Sequence, residues 1–340
     1  MKRKIFIISI ISLLFLTVGC NKTTKKEDGK NIKKDQQEEK VNIVNLESNT
    51  RPYAVVINNF PYAVEVQAGL DKAYIVYEFP IEGGISRSLA LFKDVSDAKI
   101  GTIRSARQNY LDYALENDAI LIHFGGNFKA NEDLPKLNID HVDGNIESPF
   151  YRENPIGLAT EHTAYTNLGE VIDYTTNKKQ YRTTTEVLPP LKYSAKNVDL
   201  SKYEGAMSAN TVIVPYSYSY EVKYVYNNDT NRYDRYVNDS LHKDYFNGNN
   251  FDTKNIIIVN VNCGQLTGHT DAAGSNYLNI DNIGSGSGYY ITNGYAIPIT
   301  WQKNSREEQT KYLYNDEEIK INDGNTFIMF QNTSLNSVIE

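Results

Sequence analysis

Between Tyr74 and Gly126 apolar runs alternate with tight glycine turns, and polar residues stand where the runs end. That pattern restricts the chain to short, well-buried strands joined by close turns, with one helix among them. Tyr74 to Phe79 and Ile85 to Phe92 read as strands. Glu82-Gly83-Gly84 between them supplies the positive-φ freedom of a tight hairpin. In the second strand Ile85, Arg87, Leu89 and Leu91 share one face. Lys99 to Ile103 reads as a short strand. Ser105 followed by Gln108 then reads as a capping box opening a helix, with Tyr110, Leu111, Ala114 and Leu115 on one face. Ala119 to Phe124 is a near-continuous apolar run, as expected of a strand covered on both sides. Strand, helix and strand suggest a βαβ unit, with Arg104-Ser105 and His123 at the carboxyl ends of neighbouring strands, where open α/β sheets bind ligands.

Upstream, Arg51 to Ile57 reads as the first strand, with Pro52 at its start. Glu132 to Thr166 is loop-rich, and 168 to 177 reads as a short helix. Pro189-Pro190 and the polar stretch to Asn210 read as an interdomain linker. From Thr211 the character changes. Tyr216, Tyr218, Tyr220, Tyr224, Tyr226, Tyr233 and Tyr236 alternate with polar residues, the period-2 signature of half-buried antiparallel strands. Asn255 to Val261 is a buried strand, and Asn293-Gly294 is a strong hairpin turn between Gly288–Thr292 and Ala296–Trp301. The expected architecture is an α/β (α+β) N-terminal domain with a mixed sheet over 51–188, a linker over 189–210 and a mainly antiparallel β domain over 211–333.

The N-terminus carries Lys2, Arg3 and Lys4, then a short apolar run ending in Thr17-Val18-Gly19-Cys20. Such a run is too short and too terminal for an ordinary spanning helix and reads as a signal segment over 1–19. A small residue followed by Cys resembles the lipobox of bacterial lipoproteins. That resemblance implies cleavage before Cys20 and a diacylglyceryl anchor with palmitate-type chains on its sulfur. An uncleaved N-terminal anchor is the alternative. Either puts the body on the outer face of the cell membrane, and the lipobox points to a bacterium, expected to be Gram-positive. Residues 20–50 are rich in charged and amide side chains, with no apolar periodicity before Val41, and read as a disordered tether. Cys263, the other of two cysteines, follows a buried strand and reads as a structural thiol. The formal net charge of −7 argues against nonspecific nucleic-acid binding, which rests on basic residues neutralising phosphates.

The chain resembles the YerB-like family of bacterial lipoproteins, built from paired domains of unknown function. The residues that carry the resemblance are Gln67-Ala68-Gly69-Leu70, Ile75-Val76-Tyr77-Glu78, Glu82-Gly83-Gly84-Ile85-Ser86-Arg87, Arg104-Ser105-Ala106-Arg107, His123-Phe124-Gly125-Gly126 and His162-Thr163-Ala164-Tyr165-Thr166. The C-terminal half matches less sharply, through Gly284 to Tyr290, Asn293-Gly294, Trp301 and Lys303. Asn58 stands where the family pattern implies Asp, which weakens a metal or general-base role there. The resemblance implies a two-domain, tethered, extracytoplasmic protein and brings no activity or cofactor.

Glu78, Glu82, Arg87, Arg104, Arg107, His123 and His162 form the candidate ligand site. Arginine presents a planar fork of donors suited to carboxylate or phosphate, and a helix N-terminus favours anions. One reading is a binding or scaffolding module that holds an anionic envelope ligand, a peptide carboxylate or a glycan acid; an envelope protein is a further partner class. A second is an internal ion-pair network that locks the loops. A third is an envelope hydrolase using Glu78, Glu82, His123 and His162 as acid/base groups on cell-wall fragments. Ser105 lacks the G-x-S-x-G of a nucleophile elbow, and neither H-E-x-x-H nor CxxC marks a zinc site, so no metal or cofactor is expected. Gly284 to Gly288 lacks the Lys of a P-loop and reads as a flexible β-loop, and Trp301 reads as core.

Overall fold

Gly83 and Gly84 adopt φ of 80° and 72°, and the hairpin they permit is the centre of the fold. It joins β2 (Ile75–Ile81) to β3 (Ile85–Phe92), with Ile81 opposite Ile85. The preceding strand β1 (Tyr53–Asn58) pairs antiparallel with β3 and parallel with β5 (Ile120–His123), and β6 (His141–Asp143) adds parallel to β5. Every residue of β1, β2 and β5 is buried, as the unbroken apolar runs require of strands covered on both faces.

The computed structural model describes residues 40–340; the segment read as a signal, Cys20 and the segment read as a tether as far as residue 39 lie outside the described residues. Val44, near the end of the segment read as tether, is buried, and Val41 and Ile43 pack beside it, so the apolar spacing that starts at Val41 already belongs to the core. The stretch read as a linker is packed too. Leu191, Val198, Leu200 and Ala209 are buried, and Tyr193–Ser194 pairs with Ile321–Asn322.

Three local expectations are corrected. β4 (Lys99–Gly101) does not join the main sheet; it pairs antiparallel with the strand Ala164–Asn167. Gly101 lies flat against the Tyr165 ring, which leaves no room for a Cβ, so an aromatic face packs on this strand within its own three-stranded sheet. The crossover of this region runs instead from β5 through a helix, Phe128–Lys136, to β6. That helix lies in the stretch read as loop: Pro135 near its end hides the pattern, while Asn127 caps it by accepting from the Ala130 N–H at 2.8 Å. The helix after β4 begins at Gln108 and ends at Glu116, with Arg107, not Ser105, at the cap position. Backbone bonds from Ala106 N to Gly125 O and from Asn127 N to Ala106 O bridge Ala106 to the turn after β5 and keep it out of the helix, and the Ser105 hydroxyl donates to the Phe124 carbonyl at 3.0 Å.

The main sheet does not stop at the N-terminal half. β2 pairs parallel with Thr326–Asn332, which pairs parallel with Asn255–Val261. Antiparallel strands Gly284–Thr292, Tyr295–Lys303 and Lys311–Tyr314 continue it, giving twelve strands among the described residues. A second antiparallel sheet, Thr211–Ser217 with Tyr220–Asn227 and Arg232–Val237, alternates buried and half-exposed residues as the tyrosine spacing predicts. Tyr216, Tyr220, Tyr224 and Tyr233 point inward, whereas Tyr218 is fully exposed. The N-terminal domain thus has a mixed sheet and the C-terminal domain mainly antiparallel sheets, joined edge to edge. Two apolar cores form, and each draws on both domains: Phe79 stacks on Phe330 at 4.2 Å in one, and Val76 lies with Phe327 and Tyr224 in the other.

Gly284 to Gly288 is regular strand and not a flexible loop. A Cβ at Gly288 would stand 2.0 Å from the Ile258 carbonyl oxygen. Gly288→Ala must therefore push two paired strands apart, and we expect it to cost about 1–3 kcal/mol in urea denaturation.

Candidate functional site

Arg87 sits in mid-strand on β3, opposite Asn58 of β1 and Phe79 of β2. Its aliphatic neighbours on that face bury it to 4% exposure. Nη1 donates to the Ser105 carbonyl at 2.8 Å, and Nε has no acceptor. The same carbonyl accepts from Arg107 Nη1 at 3.3 Å, so two guanidinium groups converge on one backbone oxygen. Arg107 also forks onto Glu82: Nε donates to Oε2 at 3.1 Å and Nη2 to Oε1. The Tyr277 ring lies 5.1 Å from the Arg107 guanidinium. Arg104 donates Nη1 to the Glu161 carbonyl at 3.2 Å, and its Nε is buried without an acceptor. Beside it, His162 Nδ1 accepts from Asn58 Nδ2 at 3.0 Å, and its ring stacks on Phe60 at 4.5 Å. Asn58, where the family pattern has an acid, is thus spent orienting this imidazole.

The electrostatics follow from this inventory. The one carboxylate in direct contact with this cluster among the described residues, Glu82, is claimed by Arg107, and the Glu161 carboxylate acts on Arg104 without touching it. Among the described residues neither Arg87 nor Arg104 reaches a carboxylate. Burial, and then the charge of Arg107, pull the Arg87 guanidinium down to about 9, which still leaves it cationic at neutral pH. Burial lowers Arg104 as well. Burial opposes ionisation of Glu82, but its bonds to Arg107 outweigh that and hold the carboxyl below its usual range. Burial and the nearby Arg104 charge keep His162 neutral. A desolvated cation without a counter-charge is costly, and an anion placed against Arg87 and Arg104 would relieve that cost.

The other two candidates lie elsewhere. Glu78 is fully buried; Oε2 accepts from Arg235 Nη2 at 2.9 Å, and Ser86 Oγ donates to Oε1. His123 is fully buried as well. Its Nδ1 donates to the Gly125 carbonyl at 2.7 Å, and its Nε2 accepts from His141 Nδ1 at 3.0 Å. The structure therefore gathers Glu82, Arg87, Arg104, Arg107 and His162, and separates Glu78 and His123 from them. Sequence reasoning missed Asn58 as the orienter of His162 and the Ser105 carbonyl as the shared acceptor; nothing local signals either. Cys263 is half-buried, and burial pushes its thiol up to about 12, which leaves it unreactive. Among the described residues no group of three or more His, Cys, Asp or Glu could hold a metal ion.

The buried histidines set an acid limit on stability. Burial, and for His242 the adjacent Arg235 charge, hold His123 and His242 below the ordinary value of 6.5. Below pH 6.5 the unfolded chain takes up protons that the folded chain refuses, so stability falls as pH drops from there toward the folded values. Each such group contributes a slope approaching about 1.4 kcal/mol per pH unit. Urea midpoints at pH 7.5, 6.5 and 5.5 should be flat across the first step and fall across the second.

Sheet and site together define a two-domain α/β and β fold with a shared sheet and an arginine cluster on its first half. A family model described as "Protein of unknown function (DUF3048) N-terminal domain" matches residues 41–182, and the model of its C-terminal domain matches residues 212–328. The chain belongs to this family of paired domains, the YerB-like family. It is 27% identical over 313 residues to YerB of Bacillus subtilis (strain 168), a candidate lipoprotein by name, covering 89% of this chain and 88% of that one. The crystal structure of YerB from Bacillus subtilis superposes with a TM-score of 0.71 at 26% identity, covering 86% of this chain and 94% of that one.

Proposed function

We propose that this protein is an extracytoplasmic lipoprotein, anchored through Cys20, that holds an anionic envelope ligand against Arg87, Arg104 and Arg107. The anchor rests on the basic, apolar and small-Cys order of residues 1–20 and on the name of the Bacillus subtilis relative. Two acyl chains hold a protein firmly where one would not. Cys20→Ser should move the protein from the membrane fraction to the soluble or secreted fraction; retention in the membrane would refute a lipid anchor there.

The observation that carries the ligand reading is Arg87, a guanidinium 4% exposed with a single protein acceptor, a backbone carbonyl. A locking network would pair it with a carboxylate, as Arg107 is paired. The hydrolase reading finds less support: Glu78 is tied to Arg235, and both nitrogens of His123 are engaged. Thermal melts with phosphate, citrate and a poly-glutamate peptide test the proposal. A ligand at a hundredfold its Kd adds about 2.7 kcal/mol, and that gain should vanish in Arg87→Gln. Equal melts with and without every anion, or an equal gain in Arg87→Gln, would refute it.

A further inference from the structure

The strand Asn255–Val261 stays paired with Gly284–Thr292 only as far as Val259, opposite Gly288. Beyond that point each strand keeps its other partner. Val261 still pairs with Asn332, and Gly284 with Lys303. The carbonyl of Asn260 accepts from the indole of Trp301 at 3.0 Å. Gly286 makes room for that indole: a Cβ there would stand 2.6 Å from its nitrogen. Next to this break in the ladder lies a cleft of about 760 Å³, reaching the helix Gln108–Glu116. That volume is within the range of about 300–1,000 Å³ usual for small-molecule sites.

The cleft's charges are mostly spent on one another. Arg306 bridges Asp112, at 2.5 Å, and Asp133, at 2.8 Å, and Lys129 also reaches Asp133, at 2.7 Å. Asp281, which accepts from Asn279 at 3.1 Å, adds an acidic group that disfavours anions. Apart from Asp281, what remains at the wall is neutral and hydrogen-bonding: the Ser285 hydroxyl and the amides of Asn260, Asn262 and Asn279, each already holding one protein partner, Ser287, Thr333 and Asp281. Asn260 and Asn279 each keep one N–H and the carbonyl oxygen for a ligand, and Asn262 keeps both N–H groups. Such a wall matches a ligand whose own groups both donate and accept, and it gives nothing to a strongly charged one.

We propose that this cleft is a second binding site, separate from the arginine rim, and that it takes a neutral oligosaccharide. The amides and hydroxyl pair with sugar hydroxyl and acetamido groups. The test uses the full-length chain in detergent, with tri-N-acetylchitotriose and maltotriose as probes, read by saturation-transfer NMR and calorimetry. At least one probe should bind, and Ser285→Trp, which fills the cleft from an exposed strand position, should weaken it about tenfold or more. Asn262→Ala, a smaller change at an exposed residue, should weaken it in the same direction, while Arg87→Gln leaves it unchanged. Melting temperatures establish that the variants fold. Failure of both probes to bind at millimolar concentration overturns the proposal. So does binding that both cleft variants leave intact, or that Arg87→Gln abolishes.

Discussion

Arg235→Ala is expected to cost about 3–5 kcal/mol, the loss typical when one partner of a buried ion pair is removed. Arg235 is 1% exposed and Glu78 0%. The pair ties β2 of the first domain to the strand Arg232–Val237 of the second. Arg235 Nη1 also donates to His242 Nδ1, and the guanidinium lies 5.7 Å from the Phe327 ring. Burial alone would lower its pKa; the Glu78 charge, with help from nearby tyrosines, outweighs that and raises it. Removing the guanidinium leaves Glu78 fully buried with Ser86 as its remaining side-chain donor. The double variant Glu78→Leu/Arg235→Met removes both charges and should recover most of the loss. Urea denaturation measures both. A loss below about 1 kcal/mol for Arg235→Ala would mean the pair behaves like a surface bridge, and the description of a buried junction would fail.

Glu116→Ala should cost a similar amount, about 3–5 kcal/mol. Glu116 closes the helix that begins at Gln108, and its carboxylate is 1% exposed. Lys303 Nζ donates to it at 2.7 Å from a side chain that is 0% exposed. Thr310 adds two donors, its N–H at 3.0 Å and its hydroxyl at 2.8 Å, and Tyr77 OH donates at 2.8 Å. Alanine would strand a buried ammonium and orphan three further donors. Lys303 lies on Tyr295–Lys303, so this cluster too spans the two domains. In both variants one unfolding transition should shift as a whole, because each core draws on both halves. Two separated transitions would contradict a shared core.

The sequence made its local elements legible. Glu82-Gly83-Gly84 and Asn293-Gly294 both form the turns expected, since positive φ is a property of those residues. The tyrosine alternation after Thr211 predicts its sheet because the period of 2 is written side chain by side chain. The edge-to-edge joining of the halves was not legible. Ile75 opposite Thr326 is a parallel contact between segments about 250 residues apart, set by the sheet and not by any local pattern. For the same reason the sequence could not assign Glu78 to Arg235. Arg104 and Arg107 flank one turn, and Arg87 sits among aliphatics on its strand face, so the basic cluster could be foreseen. His123 looked like its equal because it ends a strand. Its ring instead takes the carbonyl two residues on, a choice made by the Gly125 turn at φ 76°.

Crystals grown with selenate, a heavier stand-in for sulfate and phosphate, would locate any bound anion from its anomalous signal. The account predicts a peak within hydrogen-bond reach of the Arg87 and Arg104 guanidinium groups, absent in Arg87→Gln. A clean map at that rim, with each of those guanidiniums satisfied by protein oxygen atoms, would contradict it.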